Sequence, residues 1–391
     1  MARHGLSMSE RKYFVPCPLG VEDALEMELK ELGANRIGGS PGHRTFFGPK
    51  DLGYRACLWL RTAIRVQEQL AQFEARSEQE FYDGVYSLPW EQICGQERTL
   101  SVDASVRNAF SKHSKYVGLL CKDAVVDRIR DRMGSRPNVD TQDPDLPLKL
   151  TVQEGKVYLY RNLNHKSLHK RGYRPIQVKS PLNEALAAGL LILSAWDRKS
   201  TLVDPMCGSG TFLIEAAQLA LDLAPGLGQN FAFERFHDFD PIHWASLRQE
   251  ALDRKRDTHS LPLLLGADRH GGALEIAKKS LAIAGLRGLV SLSQSDLKAF
   301  HPEKKAKLVI TNPPYGHRIG TDTSDLEATW KDLGDFLRRE CGGGVAWILC
   351  GNKELTRGLR LRTERRIPVR NGPLDCRFLK YSIRRKEDIG K

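Results

Sequence analysis

The sequence predicts a protein of two parts, an α+β half followed by a doubly wound α/β half. From about residue 181, apolar strand-like runs are separated by long helical stretches, which is typical of a parallel sheet with helices on both faces. The first 165 residues instead contain shorter strand–helix units and a predicted hairpin. The length of 391 residues suits two or three domains of roughly 150 residues each.

Short strands and helices are predicted in alternation along the N-terminal half. Val21, Leu25 and Leu29 recur at helical spacing after a strand at 13–15, and Gly33 ends this first helix. The segment 135–147 is rich in Pro, Asp and Asn and predicts a loop. The remaining predictions are strands at 44–47, 63–73 and 100–106, helices at 52–60 and 118–133, and a hairpin of 148–153 with 156–161.

A helix at 184–196 is expected to open the C-terminal half. Residues from about 221 to 262 exceed one strand–helix unit, and we interpret them as an insertion with a charged helical stretch. The predicted strands of the sheet are 202–203, 263–265, 290–292, 308–310 and 345–349.

The chain carries an excess of positive charge. It holds 60 Lys and Arg against 48 Asp and Glu, a formal net charge of +12, which favours a polyanionic partner such as a nucleic acid. Basic runs at 161–179, 357–370 and 377–391 flank or lie within the predicted α/β half. We therefore expect phosphate contacts there rather than only solvated faces.

Other features argue against a secreted, membrane or metal-binding protein. Residues 1–11 lack the apolar segment of a secretory signal, and the apolar run at 185–196 is shorter than the ~20 residues that span a bilayer. The eight cysteines form no C-x-x-C pair, so neither a zinc knuckle nor a redox dithiol is indicated. We expect a cytoplasmic protein with reduced thiols and no metal.

A glycine-rich turn follows the first strand of the α/β half. Gly208 and Gly210 allow positive φ angles and close approach of the backbone to a ligand. A P-loop would need Lys where Thr211 stands, and a dinucleotide fingerprint would need Gly where Leu213 stands. The D-P-x-C-G-S-G-T loop instead resembles the S-adenosylmethionine (SAM) loop of class I methyltransferases. The candidate pocket residues are Asp204, Pro205, Cys207, Gly208, Ser209, Gly210 and Thr211.

Two later acidic residues suit the nucleoside part of SAM. Asp268, followed by Arg269, ends the second predicted strand and is placed to bind a ribose diol. Asp296, followed by Leu297, comes after the third strand and is placed to accept the adenine amino group. Asp is also a common helix cap, which stays open as the alternative for both carboxylates.

An N-P-P-Y motif ends the predicted strand at 308–310. Pro313 and Pro314 have nearly fixed φ angles and cannot continue a strand ladder, so the turn is stiff. The Asn312 side-chain oxygen and the Pro313 carbonyl are therefore preset acceptors for both hydrogens of an exocyclic base amine, and this aims the nitrogen lone pair at a methyl donor. Tyr315 offers a π face for the extruded base. A rigid turn without function is the alternative, which the nearby glycine loop disfavours.

Together these motifs resemble the THUMP-domain RNA (guanine-N2)-methyltransferases, and most of all the half-enzymes that act on bacterial large-subunit (23S) ribosomal RNA. Four more segments carry the resemblance: S-L-H-K-R-G-Y-R at 167–174, P-L-N-E at 181–184, A-P-G-L at 224–227 and N-G-P-L-D-C at 371–376. The resemblance implies a ferredoxin-like segment at 1–60, a THUMP RNA-binding domain at 61–165, and a Rossmann-like, seven-stranded class I methyltransferase domain at 166–391.

The resemblance also implies SAM as the cofactor and RNA as the partner. Pro181, Asn183, Glu184 and Asn312 are then expected in the SAM pocket, with no metal and no membrane partner. Asn183 departs from the pattern, because many relatives carry a basic residue there. Residues implied to contact RNA are Lys170, Arg171, Tyr173 and Arg174.

Two alternatives stay open. The N-P-P-Y chemistry fits any exocyclic amine, so guanine N2 of transfer RNA or adenine N6 agrees equally well with the residues, and only the resemblance favours guanine in ribosomal RNA. A catalytically silent RNA-binding assembly factor is disfavoured, because it would need neither the glycine loop nor the N-P-P-Y motif.

Overall fold

The computed structural model describes residues 10–94, 98–175, 182–316 and 323–385. These residues fall into two compact units. The N-terminal unit lies within Met1–Pro16, Glu28–Leu168 and Gly226–Glu250. The C-terminal unit lies within Cys17–Met27, His169–Pro225 and Ala251–Lys391. Each unit is therefore built from segments that are separated in the sequence.

A seven-stranded sheet organises the N-terminal unit. Its strands are β1 Arg11–Pro16, β2 Asn35–Gly38, β3 His43–Gly48, β4 Gln67–Glu74, β5 Leu100–Arg107, β6 Leu146–Gln153 and β7 Lys156–Asn162, and the spatial order is β2-β3-β1-β4-β7-β6-β5. The helices of this half of the chain are α1 Glu22–Glu31, α2 Lys50–Trp59, α3 Glu78–Tyr86, α4 Trp90–Ile93 and α5 Ser114–Met133. The β5–β6 pair is parallel and the other pairs are antiparallel.

Local sequence explains most of these elements. The predicted hairpin is β6–β7, whose turn residues Glu154 and Gly155 both have positive φ (51° and 77°), as a two-residue I′ turn requires. Gly134 ends α5 in the left-handed conformation with its amide bonded to the Arg130 carbonyl. Sequence patterning missed β2, α3 and α4, and it placed the start of β4 four residues too early.

A second seven-stranded sheet organises the C-terminal unit, as predicted. Its strands are β8 Leu202–Asp204, β9 Leu264–Asp268, β10 Ser291–Gln294, β11 Leu308–Thr311, β12 Val345–Cys350, β13 Arg365–Asn371 and β14 Leu374–Ser382. The C-terminal half of the chain also contains the helices α6 Glu184–Leu193, α7 Thr211–Ala220, α8 Pro241–Asp253, α9 Gly271–Ile283 and α10 Thr323–Glu340. Among the described helices, none is long and apolar enough to cross a bilayer.

The strand order of this sheet is β10-β9-β8-β11-β12-β14-β13. The first five strands are parallel, and β14 runs antiparallel to both of its neighbours. Chain order reverses between β8 and β11, where Leu308 pairs with Leu202 and Val309 with Val203. The loops after these two strands diverge at the same carboxyl edge, which is where open α/β sheets bind ligands.

The predicted insertion follows α7, and residues 226–250 of it belong to the N-terminal unit. Phe233 stacks on Tyr54 with ring centroids 4.1 Å apart. The buried Arg161 guanidinium pairs with both Glu68 and Asp238 at 3.0 Å. Aromatic packing and a shared, largely buried ion-pair network therefore fix this segment in the N-terminal unit.

Candidate functional site

The loop between β8 and α7 has the backbone conformation that its glycines predicted. Gly208 and Gly210 have φ angles of +53° and +78°. A Cβ atom built on Gly208 would meet no atom within 4 Å, whereas one built on Gly210 would lie 3.3 Å from Cβ of Ala277. Gly208 therefore borders open space that a ligand can fill, and Gly210 allows close packing against α9. Pro205 and Cys207 are buried beneath the loop, and Ser209 is partly exposed.

Two carboxylates hold this loop. Asp268, the last residue of β9, accepts hydrogen bonds from the Gly208 amide through Oδ2 and from the His270 amide through Oδ1, both at 2.9 Å. Asp204, the last residue of β8, is 2% exposed and accepts the Met206 amide at 3.2 Å. Burial raises the pKa of Asp204 to about 7, against the lowering effect of the hydrogen bond from the Met206 amide. Asp204 therefore stabilises the start of the loop through the Met206 amide.

Asp296 closes a turn rather than capping a helix, because no described helix lies between β10 and β11. Its Oδ1 accepts the amides of Lys298 and Ala299, both at 2.9 Å, and these bonds lower the pKa of Asp296. Leu297 is buried, and Arg269 is exposed beside the Asp268 loop. The assignment of Asp296 to the adenine amino group therefore stays a prediction.

The N-P-P-Y motif follows β11 at the same sheet edge. The indole Nε1 of Trp330 on α10 donates to the Pro314 carbonyl at 2.9 Å. The Asn371 side chain donates to the Tyr315 hydroxyl at 3.1 Å. Asn312 Oδ1, by contrast, is buried and accepts no hydrogen bond from the residues that the structure describes.

This arrangement leaves an acceptor ready for a donor that arrives from outside. A buried oxygen without a partner costs about 1–3 kcal/mol, so its presence at this sheet edge makes it a candidate acceptor for a ligand donor. The Tyr315 ring packs against the hydrophobic core of the unit but stays partly exposed, and burial raises its pKa to about 12. The ring is therefore a neutral phenol at physiological pH.

The side chains at the start of α6 make contacts within the fold that the sequence did not predict. Asn183 caps α6 by accepting the Leu186 amide at 3.0 Å. Glu184 is buried and accepts Arg174 Nε at 2.6 Å. Arg174 also donates to the Thr211 hydroxyl at 3.1 Å, so this network braces the first residue of α7.

Two of the four side chains that the resemblance implies contact RNA are buried, and the assignment of all four to RNA contact stays a prediction. Tyr173 is buried and donates to Glu215 at 3.0 Å, and the 2%-exposed Arg171 side chain lies 3.6 Å from the same buried carboxylate. Both side chains are buried because they contact Glu215, a buried acid on α7. Glu215 is more than 40 residues away in the sequence, so local patterning does not predict these contacts. Lys170 is exposed as expected. Pro181 lies outside the described residues.

Two contributors to the site were not predicted. Trp330 gives no signal beyond the apolar spacing of α10, because only tertiary structure brings its indole to the Pro314 carbonyl. Asn371 begins the N-G-P-L-D-C segment that carries part of the family resemblance. Its contact with Tyr315 was not predicted, because the two residues are 56 positions apart in the sequence. Within the described ranges, no group of three or more His, Cys, Asp or Glu side chains could hold a metal ion.

Three family models match consecutive parts of the chain. An RlmL ferredoxin-like domain matches residues 12–67, a THUMP domain matches 75–162, and an RMKL-like methyltransferase domain matches 171–380. The last match covers more than half of the chain and includes both the glycine loop and the N-P-P-Y motif.

Curated relatives share sequence along almost the whole chain. A ribosomal RNA large subunit methyltransferase K/L from Syntrophotalea carbinolica is 36% identical over 97% of this chain. The chain covers 54% of that protein and thus spans about half the length of the K/L relatives it matches. A Synechocystis protein named "Putative RNA methyltransferase" is 36% identical, with 96% of this chain and 98% of that protein covered.

Solved structures share the fold along almost the whole chain. A protein described as "a putative methyltransferase complexed with SAH" (S-adenosylhomocysteine) superposes with a TM-score of 0.89 at 26% identity, covering 96% of this chain and 99% of that one. A Listeria monocytogenes protein described as a predicted N6-adenine-specific DNA methylase gives 0.87 at 26% identity, covering 97% and 99%. From these matches together with the site geometry, the chain belongs to the RMKL-like methyltransferase family, in the form that carries ferredoxin-like and THUMP domains.

Proposed function

We propose that this protein transfers a methyl group from SAM to N2 of a guanosine in large-subunit (23S) ribosomal RNA. The observation that carries the proposal is the buried Asn312 Oδ1, which has no hydrogen-bond partner among the described residues. It follows β11 at the carboxyl edge that also holds the glycine loop. An exocyclic base amine supplies the N–H donors that such an acceptor needs.

The residues of the glycine loop fit SAM. Gly208 borders open space, and the loop leads directly into the N-terminus of α7 at Thr211, whose first amides suit a carboxylate. Each Asp268 oxygen accepts one backbone amide and keeps further acceptor capacity for a ribose hydroxyl. When bound, SAM supplies an electrophilic methyl group on a sulfonium sulfur.

The N-P-P-Y motif activates the target nitrogen by orientation. The lone pair of an exocyclic amine is delocalised into the base ring and is a poor nucleophile. Asn312 Oδ1 and the Pro313 carbonyl accept its two hydrogens and favour a pyramidal nitrogen whose lone pair points at the methyl group. The two acceptors gain strength as positive charge develops on nitrogen, so they stabilise the transition state more than the ground state. Tyr315 stacks on the extruded base.

RNA docks on exposed basic side chains of the C-terminal unit, together with the THUMP domain and Lys170. The exposed arginines follow β12 and continue along the β13–β14 hairpin: Arg357, Arg360, Arg362, Arg365, Arg366, Arg370 and Arg377. Their charge is suited to phosphate contacts, which orient RNA without reading its sequence. We place the domains that share this work at 1–60, 61–165 and 166–391.

The choice of guanine N2 in ribosomal RNA is supported by the names of the K/L relatives. Adenine N6 is the second candidate, since the Listeria neighbour is described as N6-adenine-specific and the N-P-P-Y chemistry accepts either amine. Guanine N2 of transfer RNA is the third.

Product analysis distinguishes these candidates. The purified protein is incubated with SAM and one polymer at a time: an unmodified 23S ribosomal RNA transcript, transfer RNA transcripts, or duplex DNA. Nucleosides from each digest are then identified by mass spectrometry. We expect N2-methylguanosine from the ribosomal RNA alone. N6-methyladenosine as the product would overturn the base assignment, and methylation of transfer RNA alone would overturn the substrate assignment.

A further inference from the structure

Asn371 touches the N-P-P-Y motif from a distant part of the chain. Its Nδ2 donates a hydrogen bond to the Tyr315 hydroxyl at 3.1 Å. We propose that Asn371 is a positioning residue, which fixes the Tyr315 ring in the orientation that receives the target base. The proposal rests on the stacking function proposed above for Tyr315.

A tight turn determines where Asn371 lies. Asn371 ends β13 and pairs with Leu374 of β14, so only Gly372 and Pro373 form the turn. Gly372 has a φ of +60°, and Pro373 cannot adopt a positive φ. A type I′ turn is thereby excluded, and glycine at the first central position suits type II′. The turn fixes the register of the hairpin and holds the Asn371 side chain at a defined place on a regular strand.

The Tyr315 ring is also restrained along its edge. A Cβ atom built on Gly351 would lie 2.6 Å from Cδ2 and 2.7 Å from Cε2 of Tyr315, so the ring lies directly on the backbone after β12. The preceding carbonyl, that of Pro314, is held by Trp330. The hydroxyl, one ring edge and the adjoining backbone are therefore each restrained, while the ring stays partly exposed.

A ring held in this way is prepared for stacking before RNA arrives. An unrestrained tyrosine must lose rotamer freedom when a base stacks on it, and preorganisation avoids that loss. Releasing the hydroxyl should weaken productive binding of the base by about two- to tenfold, the usual effect of immobilising one side chain. Binding of SAM should not change, because Asn371 does not touch the glycine loop in any described contact.

A double-mutant cycle tests this coupling. Methylation of a 23S ribosomal RNA transcript is measured for Asn371→Ala, Tyr315→Phe and the double variant. We expect each single change to lower kcat/KM for RNA by about two- to tenfold and to leave KM for SAM unchanged. The double variant should be no worse than Tyr315→Phe alone, because loss of the Tyr315 hydroxyl already deletes the hydrogen bond that Asn371 makes. Multiplying losses, or wild-type activity of Asn371→Ala, would overturn the proposal.

A control on the same hairpin separates the contact from general damage. Asp375 is 97% exposed at its side chain, one residue beyond the partner of Asn371. We expect Asp375→Asn to keep the wild-type kcat/KM for RNA. A loss of kcat/KM as large as that of Asn371→Ala would show that the hairpin tolerates no change, and this would contradict a specific role for Asn371.

A second measurement is independent of catalysis. The protein is labelled with 3-fluorotyrosine, and its ¹⁹F signals are recorded. The signal of Tyr315 is assigned as the one that disappears in Tyr315→Phe. We expect Asn371→Ala to shift this signal, because it removes a donor at the adjacent hydroxyl, and an unchanged signal would overturn the proposal. If the wild type methylates no RNA while the signal shifts, the proposed function fails and the positioning contact stands.

Discussion

Replacement of Asn312 by Ala should separate catalysis from stability, because the two are expected to change in opposite directions. The buried Oδ1 has no partner among the described residues, a state that costs the free protein about 1–3 kcal/mol. Ala removes that penalty and loses packing worth about 1 kcal/mol. The free energy of unfolding should therefore rise by roughly 0–2 kcal/mol, with Tm rising about 2–4 °C for each kcal/mol gained.

The effect on turnover should be much larger and of opposite sign. Removing one preorganised group that stabilises developing charge lowers kcat by about 10²–10³-fold, which corresponds to roughly 2.7–4 kcal/mol. Binding of SAM should stay close to the wild-type value, because the loop contacts of Gly208 and Asp268 are untouched. Loss of turnover would thus appear in a protein that is at least as stable as the wild type.

The assay pairs urea unfolding of the ligand-free protein with methylation of a 23S ribosomal RNA transcript, and calorimetry measures SAM binding. Asn230→Ala is the matched control, since Asn230 is exposed and lies outside the site; we expect changes within about 0.5 kcal/mol. A variant that loses more than about 1 kcal/mol of stability, or that keeps turnover within tenfold of the wild type, would refute the reasoning.

Three further predictions follow from the same unit. Burial raises the pKa of Asp204 to about 7, above the unfolded value near 3.9, so the contribution of Asp204 to the free energy of unfolding should fall as pH rises from about 4 to 7. In urea titrations the stability of Asp204→Asn relative to the wild type should therefore rise over this range, and the same pH dependence in both proteins would contradict this prediction. Gly208→Ala should weaken SAM binding at least about tenfold in calorimetry, whereas Gly288→Ala, equally strained at φ +76° with nothing within 4 Å, should not. Combining Arg365→Gln with Arg366→Gln should reduce the slope of log affinity against log salt by about 1–2, and a parallel line would exclude phosphate contacts there.

Sequence predicted those parts of the site whose residues are neighbours in the chain. Gly208 and Gly210 predict a turn, because glycine readily adopts positive φ angles. The two prolines predict the stiff turn after β11. Both motifs come directly after strands that the apolar pattern predicted. Because these strands are parallel neighbours, the sequence also predicts that the two loops lie at the same edge of the sheet.

Features that depend on contacts between distant segments could not be predicted. The basic run before α6 predicted a surface for RNA contacts, but Arg171 and Tyr173 instead contact the buried carboxylate of Glu215. The tethers of the N-P-P-Y motif come from Trp330 and Asn371, which no local pattern connects to it. Charge runs and apolar spacing indicate whether a residue is charged or apolar. Which residues it contacts depends on the tertiary fold.

The interleaving of the two units has a consequence for how the chain folds during synthesis. Residues 226–250 complete the N-terminal unit, although they follow α7 in the sequence. Domains usually fold in order as the ribosome delivers them. Here the nascent N-terminal unit cannot close its aromatic and ionic contacts around Phe233 and Asp238 until about residue 250 has emerged, by which time the first strand and helix of the methyltransferase sheet are already outside. The N-terminal unit therefore cannot be completed before the methyltransferase sheet has begun to emerge.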